Sequence, residues 1–462
     1  MDVLTLSRIQ FGLTIGFHYI YPPLSIGLGV MLVIMEACWL KTNNAVYHQM
    51  AKFWTNVFAL TFALGVATGI VMEFEFGTNW ATYSRFVGDV FGSALAAEGI
   101  FAFFLESGFL AILLFGWDKV SRKVHFFSTC MVCLGAHFSA VWITVANSWM
   151  QTPAGYHLVG AGMHQRAEIT DFWAMVFSPS SGDRLFHTLC GAWQAGAFLV
   201  VSVSAYYLLK KKHQEFARRS LRIGLSVALI ASLLQGVSGH LSGQEVARYQ
   251  PAKLAAFEGL YTTESNAPLT LFGYVDEQDH KVIGVEAPDL LSFLAHDDFH
   301  STVTGLDAFP PEDRPPVEAS FLFFHGMVGI GCLLILIAAA GTWFAWRKVL
   351  HQKRWMLWIL VFSVLGPEIA NQLGWFAAEV GRQPWIVYGL MRTPAGLSAV
   401  VKANTVLTSL VLFTLIYFLL LALFIYLLNH KIQHGPHDDD LVPAGKLALP
   451  GPLSHGHKKS AS

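Results

Sequence analysis

The chain has 462 residues, of which 54% are hydrophobic and only 13% are charged, and its mean hydropathy is +0.48. Soluble domains carry about 25% charged residues, so this composition excludes a soluble globular protein and indicates a polytopic membrane protein without a separate soluble domain. The formal net charge of −1 gives no signal for nucleic-acid binding.

The amino-terminal residues lead directly into an apolar stretch. Asp2 and Arg8 open it and no small-residue cleavage site follows, so we predict no cleavable signal peptide. The five cysteines lie in or beside apolar segments. Cys130 and Cys133 form one C-x-x-C pair, which we interpret as small packing residues rather than a metal or redox site.

Nine stretches are long and apolar enough to cross a membrane, since a span needs about 20 apolar residues. They cover residues 9–36, 53–73, 94–115, 124–146, 185–209, 222–239, 319–346, 355–378 and 403–428. The sequence therefore predicts an all-α fold. We expect a polytopic bundle of about nine transmembrane helices, with residues 1–430 forming the membrane-embedded domain.

The basic residues orient these spans, because cytoplasmic loops carry an excess of Lys and Arg. With the N-terminus outside, the inner loops and the carboxyl-terminal tail hold more than half of the 30 basic residues. We therefore predict an external N-terminus. Residues 431–462 contain His and Asp clusters, and we predict a disordered cytoplasmic tail there.

Residues 240–318 form one long connection without a spanning segment, and this orientation places them outside. Acidic residues far outnumber the four basic ones, Arg248, Lys253, Lys281 and Arg314. Loops longer than about 15 residues are usually functional or disordered. Because this one contains aromatic residues and a helix-like PAKLAAFEGL run, we predict a folded external loop.

Ionisable residues inside spans are costly and are therefore functional hypotheses. The candidates are His18 in the first span, Glu98 and Glu106 in the third, His187 in the fifth, His325 in the seventh, and Glu368 and Glu379 in the eighth. Counting Met327 of the seventh span, five candidates fall in the outer half of the membrane: His18, Glu98, His187, Met327 and Glu379. Scattered packing residues would not converge on one leaflet, so this pattern favours cofactor ligands.

The residue types indicate heme. His and Met are a known axial pair for a six-coordinate, electron-transferring heme, and an open sixth position suits a heme that handles oxygen. Each candidate also has a structural alternative, because a lone His or Glu in a span can simply hydrogen-bond a neighbouring helix. That alternative stays open above all for His137 and Glu368.

The block GWFAAEVGRQPW, residues 374–385, carries the strongest local signal. Residues three and four apart share a helix face, so Trp375, Glu379 and the Arg382/Gln383 pair lie on one side. Pro384 then ends the helix. An indole, a carboxylate and a guanidinium on one stripe at a membrane boundary suggest a bound cofactor.

This block resembles the GRQPW signature of subunit I of the cytochrome bd quinol oxidases, and the resemblance extends to about residue 430. It is also carried by SRIQFGLTIGFHYIYPPL (7–24), KFWTNVFALTFALGVATGIVMEFEFGTNW (52–80), EGIFAFFLES (98–107), VANSWMQTP (145–153) and KLAAFEG (253–259). The resemblance implies a bacterial inner-membrane enzyme that oxidises quinol and reduces oxygen. It also implies a second polytopic subunit II and, in some members, a small single-span subunit.

Three hemes follow from the same resemblance. His187 and Met327 would ligate a low-spin heme b. His18 would ligate the oxygen-reducing heme d, with Glu98 beside it or as its sixth ligand, and Glu379 would ligate a high-spin heme b. Which high-spin heme His18 and Glu379 each take is left open.

Other roles are implied by matching positions. Trp375 would lie between the hemes as an electron bridge, and Arg382 would pair with a heme propionate. Glu106 would relay protons toward the oxygen site. Lys253 and Glu258 match the positions that bind or deprotonate quinol.

The sequence departs from the long-loop members of the family in two respects. Its external loop is short, as in the cyanide-insensitive class, and such members can carry heme b in place of heme d. Position 325 is His, where long-loop members have Arg, and this His is a second possible heme ligand near Met327. We favour Met327 as the ligand. A membrane anchor that only relays electrons would not need the high-spin set His18, Glu98 and Glu379. A transporter would leave the clustering of possible heme ligands in one leaflet unexplained. A heme-copper oxidase would need a histidine-rich copper site that the sequence does not show.

Overall fold

The protein is a bundle of membrane-length helices. The computed structural model describes residues 1–437, and among these residues nine helical segments are long and apolar enough to span a membrane. They are Val3–Thr42, Ala45–Thr78, Gly88–Phe115, Arg122–Gln151, Ser181–Lys210, Gln214–Tyr249, Pro311–Trp346, Arg354–Val380 and Ala403–His434. The predicted nine-span, all-α membrane fold is therefore confirmed.

The individual helices subdivide these spans. In chain order they are α1 (Val3–His18), α2 (Tyr21–Thr42), α3 (Ala45–Thr78), α4 (Ala81–Phe86), α5 (Gly88–Ala97), α6 (Phe104–Phe115), α7 (Arg122–Gln151), α8 (Phe172–Val176), α9 (Ser181–Lys210), α10 (Gln214–Tyr249), α11 (Pro251–Glu258), α12 (Leu290–His296), α13 (Val317–Trp346), α14 (Arg354–Phe362), α15 (Leu365–Val380) and α16 (Ala403–His434).

Short antiparallel strand pairs lie in the connections. They are β1 (Tyr156–Val159) with β2 (Arg166–Ile169), β3 (Glu264–Ser265) with β6 (Thr302–Val303), β4 (Leu269–Asp276) with β5 (Lys281–Ala287), and β7 (Trp385–Val387) with β8 (Met391–Arg392). The sequence patterns did not indicate these strands, because each is short and none belongs to a larger sheet.

Two spans are broken by proline. The first is interrupted after His18, because Pro22 and Pro23 have no N–H to donate to the carbonyls four residues earlier. The eighth breaks between Phe362 and Leu365, where Pro367 leaves the Ser363 carbonyl without its regular partner. Both breaks occur in spans that carry candidate ligands.

The third span contains a π-helical turn over Glu98–Phe103. This turn winds less per residue than an α-helix, so the regular α-helical angle between Glu98 and Glu106 does not apply. Such turns occur often at functional sites. Here the turn begins at one of the candidate residues.

The centre of the bundle depends on close helix contact between α2 and α9. A Cβ atom built on Gly27 would lie 2.2 Å from the Ala192 carbonyl oxygen, and one on Gly196 would meet the Gly27 backbone equally closely. Only glycine permits this approach, and small residues at helix crossings are typical of membrane bundles. The apolar core therefore forms around α2, α3 and α9.

The connection between the sixth and seventh spans is folded. Helix α10 continues to Tyr249, ten residues beyond the predicted span, because its polar outer turns still complete the backbone hydrogen-bond ladder. The following residues form α11, α12 and two strand pairs around a small core that includes Leu254, Leu291 and Phe321. The side of the membrane that this connection faces stays a prediction.

Helix α16 extends to His434, past the predicted membrane boundary at residue 430. The remainder of the predicted tail, residues 438–462, lies outside the described residues.

Candidate heme and quinol sites

His18 ends α1, directly before the proline break. Its Nδ1 lies 2.9 Å from the Thr68 hydroxyl of α3, and that hydroxyl donates to the Leu64 carbonyl at 2.8 Å. Because the hydroxyl proton is directed to the Leu64 carbonyl, Thr68 Oγ1 accepts a hydrogen bond from the Nδ1–H of His18. The other ring nitrogen, Nε2, then carries the lone pair that a metal binds.

His187 of α9 repeats this arrangement with α10. Its Nδ1 lies 2.9 Å from the Ser238 hydroxyl, which donates to the Gln235 carbonyl at 3.1 Å. The Ser238 contact leaves the lone pair on Nε2. The Gln235 side-chain amide nitrogen lies 2.8 Å from Nε2 and 3.2 Å from Nδ1, and a metal at Nε2 would replace this amide. Two histidines on different spans are therefore held in the same tautomer by hydroxyls of neighbouring helices.

Met327 of α13 faces α15. A Cβ atom on Gly374 would lie 2.7 Å from Met327 Sδ, so the absence of a side chain at 374 makes room for the sulfur. Glycines also face the two histidines: a Cβ on Gly69 would lie 3.3 Å from His18 Cε1, and one on Gly239 would lie 3.7 Å from His187 Cε1. A glycine therefore lies against each of these three candidate ligands, where a larger side chain would contact the ligand residue.

His325, the second possible heme ligand of the seventh span, faces two backbone carbonyl oxygens instead. Its Nδ1 lies 3.0 Å from the Phe321 carbonyl and its Nε2 lies 2.9 Å from the Thr270 carbonyl of β4. Both partners only accept hydrogen bonds, so whichever ring nitrogen carries the lone pair faces a carbonyl oxygen. Nε2 also lies 3.9 Å from Glu258 Oε2. His325 thus ties α13 to the connection between the sixth and seventh spans.

Glu379 lies in a polar cluster at the end of α15. Arg382 is ion-paired with it, and Asn147 of α7 donates to its Oε1 at 3.0 Å. Arg184 of α9 in turn hydrogen-bonds Asn147. A carboxylate has about four lone-pair positions, so Oε2, which Arg382 bonds, keeps a position for a metal. Arg382, predicted to pair with a propionate, here pairs with the carboxylate of the predicted ligand.

Lys253 of α11 is buried beside the same cluster. Its Nζ donates to Gln151 Oε1 at 2.6 Å and to Gln250 Oε1 at 2.7 Å. Burial, together with the nearby Arg184 and Arg382 guanidinium groups, lowers the pKa of Lys253 well below its usual range. A lysine in this state is ready to exchange a proton or hydrogen-bond a polar ligand.

Glu258 ends α11 and is only 5% exposed. Burial raises the pKa of its carboxyl to about 8. Its Oε2 has no hydrogen-bond partner among the described residues. The next residue, Gly259, is covered by Val282 of β5, since a Cβ there would lie 2.4 Å from Val282 Cγ2. An unpaired carboxyl under a hairpin is suited to accept a proton from a ligand.

The third span carries two carboxyls that face α7. Ser139 of α7 donates to Glu98 Oε1 at 2.6 Å. Glu106 is 8% exposed and packs on the α7 backbone, where a Cβ on Gly135 would lie 2.9 Å from its own Cβ. Both predicted carboxyls therefore line one helix.

A further buried pair, not identified from the sequence, continues this line. His125 Nδ1 of α7 lies 3.0 Å from Glu36 Oε1 of α2, and the Thr129 hydroxyl donates to the same oxygen at 3.0 Å. Both His125 and Glu36 are almost completely buried. One face of α7 thus presents protonatable or hydroxyl groups from His125, near its N-terminal end, to Ser139.

The three remaining candidates, His137, Trp375 and Glu368, have different surroundings. His137 has both ring nitrogens paired, with the Cys133 carbonyl at 2.7 Å and the Trp193 indole at 2.9 Å, which supports its structural alternative. Trp375 is half-buried on α15 beside Gly374. Both oxygens of Glu368 are shielded and lack a partner among the described residues, and nothing in the structure assigns them a role.

Sequence reasoning missed the residues that hold the candidates in place. Thr68, Ser238, Asn147, Gln151 and Arg184 were not singled out, because polar residues near span ends are common. A signal was available for three of them: Asn147 and Gln151 lie in the VANSWMQTP motif, and Thr68 lies in the motif at residues 52–80.

Comparisons with known proteins show the family of the chain. The family model described as "Cytochrome bd terminal oxidase subunit I" matches residues 6–436. The cytochrome bd ubiquinol oxidase subunit 1 of Bacillus subtilis is 40% identical, covering 95% of this chain and 96% of the relative. The cytochrome bd-II ubiquinol oxidase subunit 1 of Escherichia coli is 34% identical, covering 94% of this chain and 97% of the relative.

A third relative, the putative cytochrome bd menaquinol oxidase subunit I of Bacillus subtilis, is 36% identical over 96% of this chain and all of its own length. The solved structure of the bd oxidase from Geobacillus thermodenitrificans superposes with a TM-score of 0.87 at 34% identity, covering 94% of this chain and 99% of that one. The chain belongs to the cytochrome bd terminal oxidase subunit I family.

Proposed function

We propose that this chain is the heme-binding subunit of a terminal respiratory oxidase in the bacterial cell membrane, a quinol:oxygen oxidoreductase. It would oxidise quinol at the outer face and reduce oxygen to water with protons from the cytoplasm. Charge then separates across the membrane without a dedicated pump. The observation that carries this proposal is the direct connection between Lys253 and the Glu379 cluster through Gln151, which places a ligand-binding lysine beside a candidate heme ligand.

The proposed heme assignments are those that the family resemblance implies. His187 and Met327 would hold a low-spin heme b, Glu379 a high-spin heme b, and His18 a heme d or a heme b in its place. Glu98 would lie beside the His18 heme or act as its sixth ligand. The hemes, when bound, would transfer electrons from quinol and reduce oxygen at an open iron. The hydroxyl-held tautomers of His18 and His187 support these assignments.

Other residues near the hemes have supporting roles. We assign Trp375, which follows Gly374 on α15 and lies about one turn before Glu379, as an electron bridge. Arg382 and Arg184 supply guanidinium groups of the kind that bind propionates bidentately. Their contacts with Glu379 and Asn147 lie at the C-terminal end of α15, which supports this role.

We assign quinol binding and deprotonation to two residues of α11. Lys253 would hydrogen-bond a quinol oxygen, and Glu258 would accept a quinol proton. The carboxyl of Glu258 suits this role because it is buried, lacks a partner on Oε2 and has a pKa of about 8. A proton accepted there would leave on the side of the connection between the sixth and seventh spans, which we place outside.

Proton supply would come from the opposite side. Glu106 and Glu98 face α7, where Ser139 donates to Glu98, and His125 of the same helix pairs with Glu36 of α2. This face of α7 provides successive groups that can hold a proton. We therefore assign Glu106 as a relay and the His125–Glu36 pair as its source.

The short connection between the sixth and seventh spans supports the short quinol-loop class. The relatives are named as oxidase subunits. We therefore propose that the chain acts with a second polytopic subunit II and, as in some family members, with a small single-span subunit. The excess of basic residues in alternate short loops supports an external N-terminus.

The test is a reduced-minus-oxidised absorption spectrum of the purified complex, with and without carbon monoxide, followed by oxygen uptake with quinol. A red chlorin band that shifts with carbon monoxide, beside heme b bands, supports heme d. Carbon monoxide-reactive heme b without that band supports heme b in its place. No response to carbon monoxide and no quinol-driven oxygen uptake would overturn the proposal.

A further inference from the structure

Gln151 uses both ends of its side-chain amide. It is the last residue of α7 and is 1% exposed. Its Oε1 accepts from Lys253 Nζ at 2.6 Å, and its Nε2 lies 3.5 Å from both Glu379 Oε1 and the Ala378 carbonyl. One side chain therefore touches the lysine of α11 and the carboxylate of α15.

The partners dictate the orientation of this amide. Lys253 Nζ only donates hydrogen bonds, so it requires the amide oxygen. Glu379 only accepts when ionised, so it requires the amide nitrogen. A carboxylate at position 151 would bond the lysine but repel Glu379, and an apolar side chain would contact neither.

We propose that Gln151 is a positioning residue that sets Lys253 and Glu379 relative to each other, so that quinol binding and the Glu379 heme depend on one amide. This inference rests on the proposed function, because it takes Lys253 as a quinol-binding residue and Glu379 as a heme ligand. It adds a residue that links the two sites.

Gln250 provides a matched control. Its Oε1 accepts from the same lysine nitrogen at 2.7 Å, but its Nε2 donates to the Gln151 carbonyl at 3.2 Å. The described contacts of Gln250 do not include Glu379. Loss of the Gln250 side chain therefore removes one hydrogen-bond acceptor from Lys253 without removing a donor from the Glu379 carboxylate.

The experiment compares Gln151→Met, Gln151→Glu and Gln250→Met in the complete complex. The readouts are the KM for quinol and the absorption and midpoint potential of the high-spin heme b. Gln151→Met is expected to raise KM about tenfold, because the lysine loses a charge-assisted acceptor, and to shift the high-spin band and potential. Gln151→Glu should keep KM near wild type but shift the potential. Gln250→Met should raise KM and leave the high-spin heme unchanged.

The proposal is overturned if Gln151→Met and Gln250→Met have the same effects, with the high-spin band and potential unchanged in both. Gln151→Glu keeps the test decisive if Gln151→Met does not assemble, since an unchanged potential in that variant also contradicts the proposal. The low-spin band of each variant confirms assembly. Failure of the proposed function is distinct: Glu379→Gln would then retain all hemes, or the wild type would not oxidise quinol.

Discussion

The hydroxyl of Thr68 holds the imidazole of His18 from the side opposite its free nitrogen. The two groups lie 2.9 Å apart, and the hydroxyl proton is directed to the Leu64 carbonyl of its own helix. A hydroxyl bonded in this way can only accept from the ring, so the tautomer of His18 is fixed by the backbone of α3. Ser238 does the same for His187 from α10.

Replacing Thr68 with Val should weaken heme binding at His18, because the ring loses the acceptor that fixes its tautomer. Loss of such supporting partners typically costs 10- to 100-fold in metal affinity. Heme content per protein, measured as the pyridine hemochrome, checks this outcome. Thr68→Ser retains the hydroxyl and should retain the heme; equal heme content in both variants would show that the hydroxyl is not needed.

Replacing Gly374 with Ala should disturb the low-spin heme without unfolding the protein. The new Cβ would lie 2.7 Å from Met327 Sδ, and a flexible thioether moves more readily than the helix backbone. We expect a loss or shift of the low-spin band in the reduced spectrum. Gly329→Ala on α13, where a Cβ meets nothing within 4 Å, should leave the band intact. An unchanged band in Gly374→Ala would argue against Met327 as a ligand.

Met327→Leu and His325→Gln separate the two possible ligands of the seventh span. We expect Met327→Leu to remove the low-spin signal selectively and His325→Gln to preserve it, because both His325 nitrogens face carbonyl oxygens. Low-temperature spectra and electron paramagnetic resonance distinguish the two outcomes. A low-spin heme that survives in Met327→Leu but not in His325→Gln would reverse the assignment.

Quinol oxidation should depend on the protonation of Glu258. Burial raises its pKa to about 8, so the carboxyl is mostly protonated at pH 7 and cannot accept a quinol proton in that form. The rate should therefore rise with pH through about 8. Glu258→Gln should abolish quinol oxidation while all heme bands remain, and loss of the hemes would contradict the assigned role. The exposed Glu264 of the same connection is a control, since Glu264→Gln should keep both rate and pH profile.

Glu106→Gln should slow steady-state oxygen reduction, because the relay on α7 loses a group that can release a proton. Reduction of the hemes by quinol in the absence of oxygen should proceed at the wild-type rate, since no proton is needed from inside for that step. Stopped-flow absorption measures the two processes separately. Full steady-state turnover in this variant would remove Glu106 from the proton route. Glu215→Gln, at an exposed position on α10, serves as the control.

The spans themselves could be predicted from the sequence, because apolar length alone determines whether a helix can cross a membrane. The break near Pro22 and Pro23 could be predicted for the same local reason, since proline lacks a donor. The π-helical turn at Glu98–Phe103 could not, because its residues are compatible with a regular α-helix and only packing against α7 distinguishes the two.

The sequence by itself determined the nine membrane-length helices, the family and the set of candidate ligands, since these depend on residue type and spacing along one chain. Only the tertiary structure decided which side chains hold those candidates. Thr68, Ser238 and Gln151 act across helix boundaries, and their partners depend on how each helix is rotated and how deep it lies. A hydroxyl or amide in an apolar span has no local signal that names its partner, because hydrogen bonds between helices are a property of the packed bundle.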